Sequence, residues 1–352
     1  MNNTQYPFLV YISCATYNHV HYVEDALNGF CMQQTDFPFL AMVMDDASTD
    51  GEQEVINRYL EQNFDLSDLS IESETNSDIR DHAWRCETEE GVYTFAQHKE
   101  NKSCYVLSVN LKKNLYKSGK KGTLVKPWRE MTKYIALCEG DDYWTDPLKL
   151  QKQVEILDSI PNCSLCYHAC KNIYEDGFVG WNRDFGTDVK SSYTFKEIVY
   201  RYNFQTATVM FRKELISTDL YRGLTSVGFS FGDALLYMTA AHFGDVLGLT
   251  EEMSVYRRVN NGISVAIHKG ETRVKDTRAY INTLELFGKN EKKYIYKGKI
   301  RPNMFKILMD DSISFGTYIS LIFSLFMAMP YYGLYLAASH LKFKALSVFK
   351  KE

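Results

Sequence analysis

Glu139, Asp141 and Asp142 fall within four residues, where the apolar run Tyr134 to Cys138 ends in the stretch YIALCEGDDYWTDPLKLQ. Carboxylates crowded on one turn repel one another and raise one another's pKa values. A divalent cation relieves that conflict. Mg2+ and Mn2+ take carboxylate oxygens and commonly share their remaining positions with substrate phosphates. The same residues would also make an acidic surface turn that leads into a helix. The apolar run reads as a buried strand. Asp146 and Pro147 read as the N-cap and first residue of a helix with the stripe Leu150, Val154 and Leu157. The acids then sit on a strand-to-helix turn at the carboxyl edge of a parallel sheet, where open α/β folds bind ligands.

Three other places carry residues of the right chemistry. Asp45 and Asp46 end the apolar run Phe39 to Met44, and Ser48, Thr49, Asp50 and Gly51 follow with turn and capping chemistry. Ala15 to Asn18 make a turn after the run Phe8 to Ser13, at which a bound base could stack on Tyr17. Asp233 opens the apolar helix Ala234 to Phe243, whose N-terminus favours an ionised carboxylate, either for chemistry or simply as a helix start. Cys163, Cys166, His168 and Cys170 have spacing that invites zinc, but no second ligand pair stands at the right distance. Their segment, CSLCYHAC, reads as a buried strand, and the other cysteines as small core residues of a reducing compartment.

The elements that would position these residues alternate. A strand, a polar turn and a helix occur twice early on, with helices over about Val23 to Gln33 and around Val55, Ile56, Tyr59 and Leu60. This βαβ rhythm predicts an α/β fold, a parallel sheet with helices on both faces. Asp65 to Lys133 breaks the rhythm: it begins acidic, and its last third carries eight basic residues, Lys121 among them, against Glu130 alone. It reads as a flexible excursion over the active edge, its basic part a solvated face or a contact for a diphosphate or anionic acceptor. Thr206 to Phe211 and Met253 to Val259 read as later strands, the second with a polar end at Arg257, Arg258, Asn260 and Asn261.

The C-terminus differs in kind. Ser312 to Leu341 contains no Asp, Glu, Lys or Arg, yet Pro330 divides it and basic residues flank both sides. Its length approaches the ~20 residues of a spanning helix. An interfacial or re-entrant anchor on the cytoplasmic face fits better, with a packed helical pair or a partner interface as alternatives. A net charge of −4 over 352 residues argues against a general polyanion-binding surface, so nucleic acid is not an expected partner. The N-terminus lacks a basic region followed by a long apolar one, which points to cytoplasmic residence.

In order, four blocks carry a resemblance: YISCATYNH, MVMDDASTDG, YIALCEGDDYWTDPLKLQKQV, and GFSFGDALLY followed by SVYRRVNNGIS. Together they resemble the family-two inverting GT-A glycosyltransferases of the bacterial surface-polysaccharide type, over roughly Phe8 to Ser264. Ala47 replaces the usual Gly, Glu139 the first Asp of the metal-binding Asp-x-Asp, and Gly232 an acid before the catalytic Asp. The resemblance implies a GT-A (nucleotide-diphospho-sugar transferase, Rossmann-like) fold over residues 1–265, with a mixed, mostly parallel sheet. A helical linker (266–311) and a hydrophobic, basic helical tail (312–352) would follow. It implies donor contacts at Thr16, Tyr17, Asn18, Asp45, Asp46, Glu139 and Asp142. Asp141, with Glu139, would hold Mn2+ or Mg2+, and Asp233 would be the general base. The implied reaction moves a sugar, with inversion, from a nucleotide-diphosphate sugar, UDP-linked, to a saccharide or lipid-linked acceptor. The setting would be the inner face of the cell membrane. Polyprenyl phosphate is an alternative acceptor, and a non-catalytic nucleotide-sugar-binding assembly subunit an alternative role.

Overall fold

The computed structural model describes residues 6–78, 80–116, 118–175, 177–178, 185–258 and 270–348, with side chains up to 339. Asn260 and Asn261 lie outside the described residues. The chain divides into two compact units.

The first unit comprises Met1–Ser192, Asn203–Glu214 and Gly244–Val259. Its strands are β1 (Val10–Thr16), β2 (Phe39–Asp45), β3 (Ser70–Glu72), β4 (Trp84–Glu87), β5 (Gly91–Gln97) and β6 (Cys104–Leu111). There follow β7 (Tyr134–Leu137), β8 (Tyr143–Trp144), β9 (Cys163–Tyr174), the edge strand β10 (Ser192–Tyr193), β11 (Met210–Arg212) and β12 (Asp245–Arg258). They form one sheet in the order β10-β12-β9-β11-β7-β1-β2-β6-β5-β4-β3, with β8 beside β12. The central four, β7-β1-β2-β6, are parallel, and antiparallel pairs lie on both sides of them. Every residue of β2 is buried, as expected of a strand covered on both faces.

Helices α1 (Val23–Cys31) and α2 (Glu52–Asn63) cross over from β1 and β2; short α3 (Lys121–Leu124) and α4 (Lys126–Glu130) precede β7; α5 (Lys149–Ser159) precedes β9. Val23, Ala26, Leu27 and Phe30 give α1 its buried stripe, and Leu150, Val154 and Leu157 give α5 its own. Each such Val, Leu or Phe side chain contributes roughly 1.5–3 kcal/mol through burial.

Several elements differ from the sequence expectation. β1 begins at Val10 and continues to Thr16, because its ladder with β2 extends to the Thr16–Asp45 pair. Asp146 caps a turn before α5, its Oδ1 accepting from the Leu148 N–H at 2.7 Å, so the helix starts at Lys149. Thr206 to Phe211 is a 3-10 turn, Thr206–Thr208, and then the short β11. The largest correction concerns Asp65 to Lys133. It is no flexible excursion: it supplies β3 to β6, and β6 pairs in parallel with β2 along its length.

The second unit, Tyr193–Tyr202, Leu215–Phe243 and Asn260–Glu352, is helical. It contains α6 (Phe195–Arg201), α7 (Asp219–Ser226), α8 (Gly232–Phe243), α9 (Gly270–Thr283), α10 (Lys289–Ile295), α11 (Arg301–Leu308), α12 (Phe315–Ala328) and α13 (Pro330–Val348). A π-helical turn, Tyr296–Ile300, joins α10 to α11. Pro330 opens α13, where its missing N–H costs nothing. Among the described residues no helix is long and apolar enough to cross a membrane.

Candidate active site

From β1 the chain crosses to β2 on one side, and β7 lies on the other. The carboxyl ends of these strands therefore flank a topological switch point, the place where open α/β sheets take ligands. Register sets Thr16 opposite Asp45 there. Tyr17 follows and is 44% exposed. Asn18 has φ 57°, a left-handed conformation that Asn tolerates better than most residues. Its N–H donates to Ser48 Oγ at 2.9 Å, and its Oδ1 accepts from the Thr49 N–H at 2.9 Å, so the two turns are stitched together.

Glu52, at the start of α2, completes the stitching. Its buried carboxylate accepts from the Thr16 hydroxyl, from the His19 N–H at 2.9 Å and from the Ser48 hydroxyl at 2.8 Å. Burial raises its pKa, and these donors oppose the rise. Sequence reasoning missed Glu52, because Asp50 already accounts for the start of α2; the available signal was a second acid in that first turn.

Asp45 and Asp46 are both buried but differ in use. Asp45 Oδ1 accepts from the Ser48 N–H at 3.0 Å and from Gln53 Nε2 at 2.6 Å, whereas Oδ2 is buried with no partner. An unpartnered buried acceptor costs about 1–3 kcal/mol, and a ligand N–H or O–H would relieve it. Asp46 has both oxygens engaged, by the Leu115 N–H at 2.6 Å and Lys121 Nζ at 2.5 Å. It fastens the segment after β6 to the end of β2.

On the acid turn, Gly140 makes a close approach. A Cβ there would stand 2.1 Å from Thr16 Oγ1, so only glycine allows the turn to lie against β1. Asp142 is buried, and its Oδ1 accepts from the Arg257 N–H at 2.8 Å. Burial, then the charges of Asp141 and Glu139, push its pKa well above the usual carboxylate range. The Arg257 guanidinium pairs with Asp25, donates to the Asp141 carbonyl at 3.1 Å, and lies over the Tyr143 and Tyr22 rings at 4.4 and 5.0 Å. His19 Nε2 stands 3.9 Å from Asp141 Oδ2.

The cluster suits a cation that the protein only half encloses. Among the described residues no three ligating side chains come together closely enough to hold a metal alone. Glu139 and Asp141 are half-buried, and Asp142 is buried beside them, where burial and their charges oppose its ionisation. One or two carboxylates completed by phosphate oxygens is the usual arrangement for Mg2+ at a nucleotide. Cys163, Cys166, His168 and Cys170 are all buried in β9 with the cysteines free, and gather no metal-binding group among the described residues. Lys149, also missed from sequence, is buried over the Trp144 ring at 3.7 Å, and burial lowers its pKa to about 7.

Asp233 belongs to the second unit, in the first turn of α8. Burial raises its pKa; the Ala234 N–H, the Tyr202 hydroxyl at 3.3 Å from Oδ2, and Lys299 of the π-helical turn oppose that rise. Burial in turn lowers the pKa of Lys299, against the charge of Asp233. A carboxylate beside a hydroxyl and an ammonium is a proton acceptor whose strength its neighbours set.

No family model matches the chain. Uncharacterized proteins of Mycobacterium tuberculosis and Mycobacterium bovis are 31% identical over 272 residues, covering 75% of this chain. The aligned part spans 63% of the length of these relatives. Among solved structures, residues 1–349 of TarS from S. aureus, in complex with UDP or with UDP-GlcNAc, align at 15% identity with a TM-score of 0.58. That alignment covers 93% of this chain and 83% of the TarS chain. The chain therefore has the fold that its sequence blocks imply, the GT-A glycosyltransferase fold.

Proposed function

We propose that the chain is a glycosyltransferase that moves a sugar from a UDP-linked donor to a saccharide or lipid-linked saccharide, with inversion, in cell-surface polysaccharide synthesis. The observation that carries this reading is the buried, unpartnered Asp45 Oδ2 at the switch point of a GT-A sheet, next to the exposed Tyr17 turn. The binding of UDP and UDP-GlcNAc by TarS supports a UDP-linked donor.

In this mechanism Tyr17 stacks on the base and Asp45 Oδ2 accepts one of its N–H groups. Thr16 and Asn18, held by Glu52, Ser48 and Thr49, keep the Tyr17 turn in place. Glu139 and Asp141 would hold Mn2+ or Mg2+, which supplies positive charge to the departing diphosphate. Asp142 and Arg257 position the acid turn. Asp233 takes the proton of the attacking acceptor hydroxyl onto a carboxylate oxygen, and Tyr202 and Lys299 favour its ionised form beforehand. A single displacement through an oxocarbenium-like state inverts the anomeric carbon. The exposed apolar faces of α12 and α13 would bring the enzyme to the membrane surface, where a lipid-linked acceptor resides.

The test is thermal shift and release of nucleoside diphosphate over a panel of nucleotide sugars with Mn2+ or Mg2+. One donor should stabilise the wild type. Asp45→Ala should weaken that donor about 10–100-fold, the equivalent of one lost charge-assisted hydrogen bond. Stabilisation by no nucleotide sugar under either metal would overturn the transferase reading.

A further inference from the structure

His19 follows the Tyr17 turn and leads into α1, and the fold holds it from both sides. Its N–H donates to Glu52 Oε2 at 2.9 Å, and its carbonyl accepts from the N–H groups of Tyr22 at 2.8 Å and Val23 at 3.0 Å. The ring is held as well. Nδ1 stands 3.2 Å from Thr16 Oγ1, and the Thr16 hydroxyl gives its one proton to Glu52 Oε1. Thr16 Oγ1 therefore accepts from Nδ1–H, which sets the tautomer. Nε2 is left on the other side of the ring, 3.9 Å from Asp141 Oδ2.

The acid turn is packed directly onto this ring. A Cβ at Gly140 would stand 3.4 Å from His19 Nδ1, besides its clash with Thr16, so the glycine lets the next residue, Asp141, come close to Nε2. At 3.9 Å the two atoms are too far apart to share a hydrogen bond. Their spacing suits two ligands of one cation. Bonds of about 2.1 Å to each would set them about 3.0 Å apart at a right angle and about 4.2 Å apart in line. Metal-bound imidazoles are commonly oriented by a hydrogen bond from the other ring nitrogen, and here the chain His19–Thr16–Glu52 supplies one that ends on a buried carboxylate.

We propose that His19 Nε2 is a nitrogen ligand, beside Asp141 Oδ2, of the divalent cation at the donor site. The inference rests on the donor-site reading above and adds the kind of cation. An imidazole nitrogen suits first-row transition metals better than Mg2+, so the site should prefer Mn2+. Two such side chains leave the remaining positions to phosphate oxygens and water, in keeping with the lack of three gathered ligands among the described residues.

The experiment is electron spin-echo spectroscopy of Mn2+ bound to the full chain, with and without UDP. The wild type should show nitrogen hyperfine coupling, and its pattern should change when the protein is grown on histidine labelled with the heavy nitrogen isotope, a readout that needs no variant. His19→Asn keeps an N–H donor near the place of Nδ1 but lacks Nε2, and should lose the coupling. The exposed neighbour His21 serves as a control: His21→Gln should keep the coupling, as should Glu139→Gln. Thr16→Val removes the acceptor that orients the ring and should weaken Mn2+ about 10–100-fold. Excess Mg2+ should displace Mn2+ from His19→Asn more readily than from the wild type. Bound Mn2+ without histidine coupling, coupling that persists in His19→Asn, or no Mn2+ binding under either condition would refute the proposal. The first two results leave the transferase reading standing, whereas a failure of every nucleotide sugar to bind removes that reading whatever the nitrogen coupling shows.

Discussion

Glu52 carries more of the donor edge than any acid in the sequence blocks, because one carboxylate satisfies donors from both turns, at Thr16, His19 and Ser48. Glu52→Ala would leave these donors unpaired in a buried place. It should lower stability by about 2–3 kcal/mol in urea unfolding and weaken donor binding with it, although position 52 touches no ligand in the proposed mechanism. Asp233 gives the residue-scale pH prediction. A general base must be ionised, and burial raises the Asp233 pKa, so kcat/KM should rise with pH along a limb above the ordinary carboxylate range. Lys299→Met removes a charge that opposes the shift and should move the limb to still higher pH, while Lys299→Arg should restore it. A limb that stays put in Lys299→Met would separate Lys299 from the base. Asp45 and Asp233 stood out in the sequence because one ends a strand and the other opens a helix, and Asp141 because it stands among acids just after a buried strand. Glu52, His19 and Arg257 did not, since contacts that tie each of them into the site come from far along the chain, from 33 positions for the His19–Glu52 contact to 232 for Arg257–Asp25.

At the scale of elements, local patterning exposed β2, β7, α1, α5 and α8 nearly to the residue, because α1 and α5 bury one regular face while β2, β7 and α8 are continuous apolar runs buried on more than one face. The stretch from Asp65 to Lys133 defeated the same reasoning. Its strands β3 and β4 are short and partly exposed, and β6, a buried parallel strand, is reached through an antiparallel hairpin instead of a helix. Its basic run is also less uniform than it reads: Lys112 pairs with Glu87 at 2.7 Å and Lys121 with Asp46 at 2.5 Å. The second pair gives an element-scale prediction. Breaking an ion pair with one buried partner leaves an uncompensated charge, and the partial exposure of Lys121 reduces the cost to about 1–2 kcal/mol. Lys121→Ala should therefore release the segment after β6, read as faster trypsin cleavage around Lys112 and Lys113 than in the wild type. Equal cleavage rates would show that the Leu115 N–H and the Asn114 amide, which donates to the Asp46 carbonyl at 3.0 Å, hold the segment without Lys121.

For the whole molecule, the C-terminal helices are the part that, on the proposed reading, would bring the enzyme to its acceptor. Phe315, Ile319, Phe323 and Met327 recur every four residues along α12, and Tyr331, Leu334 and Tyr335 continue on α13, all exposed, with Met327 at 67% and Tyr331 at 73%. Gly333 lets the two helices meet closely: a Cβ there would lie 2.5 Å from Phe326 Cα. An apolar surface of this size marks an interaction site, and Lys297, Arg301 and Lys306, exposed just before it, favour an anionic partner. The absence of charge from Ser312 to Leu341 and its division at Pro330 were plain in the sequence, but that Pro330 opens a second helix needed the fold, because proline can equally begin a helix or kink one. The chain should sediment with vesicles containing anionic lipid, less so with neutral ones and less at high salt. Phe323→Ser with Met327→Ser removes two large apolar groups at roughly 1 kcal/mol each for partial insertion, so vesicle affinity should fall about 30-fold. Donor hydrolysis in solution should be unchanged, since no residue of the proposed donor site lies on α12. If the wild type ignores vesicles but associates with itself as concentration rises, the apolar face covers another copy of the chain, and a lipid-linked acceptor loses its main structural support.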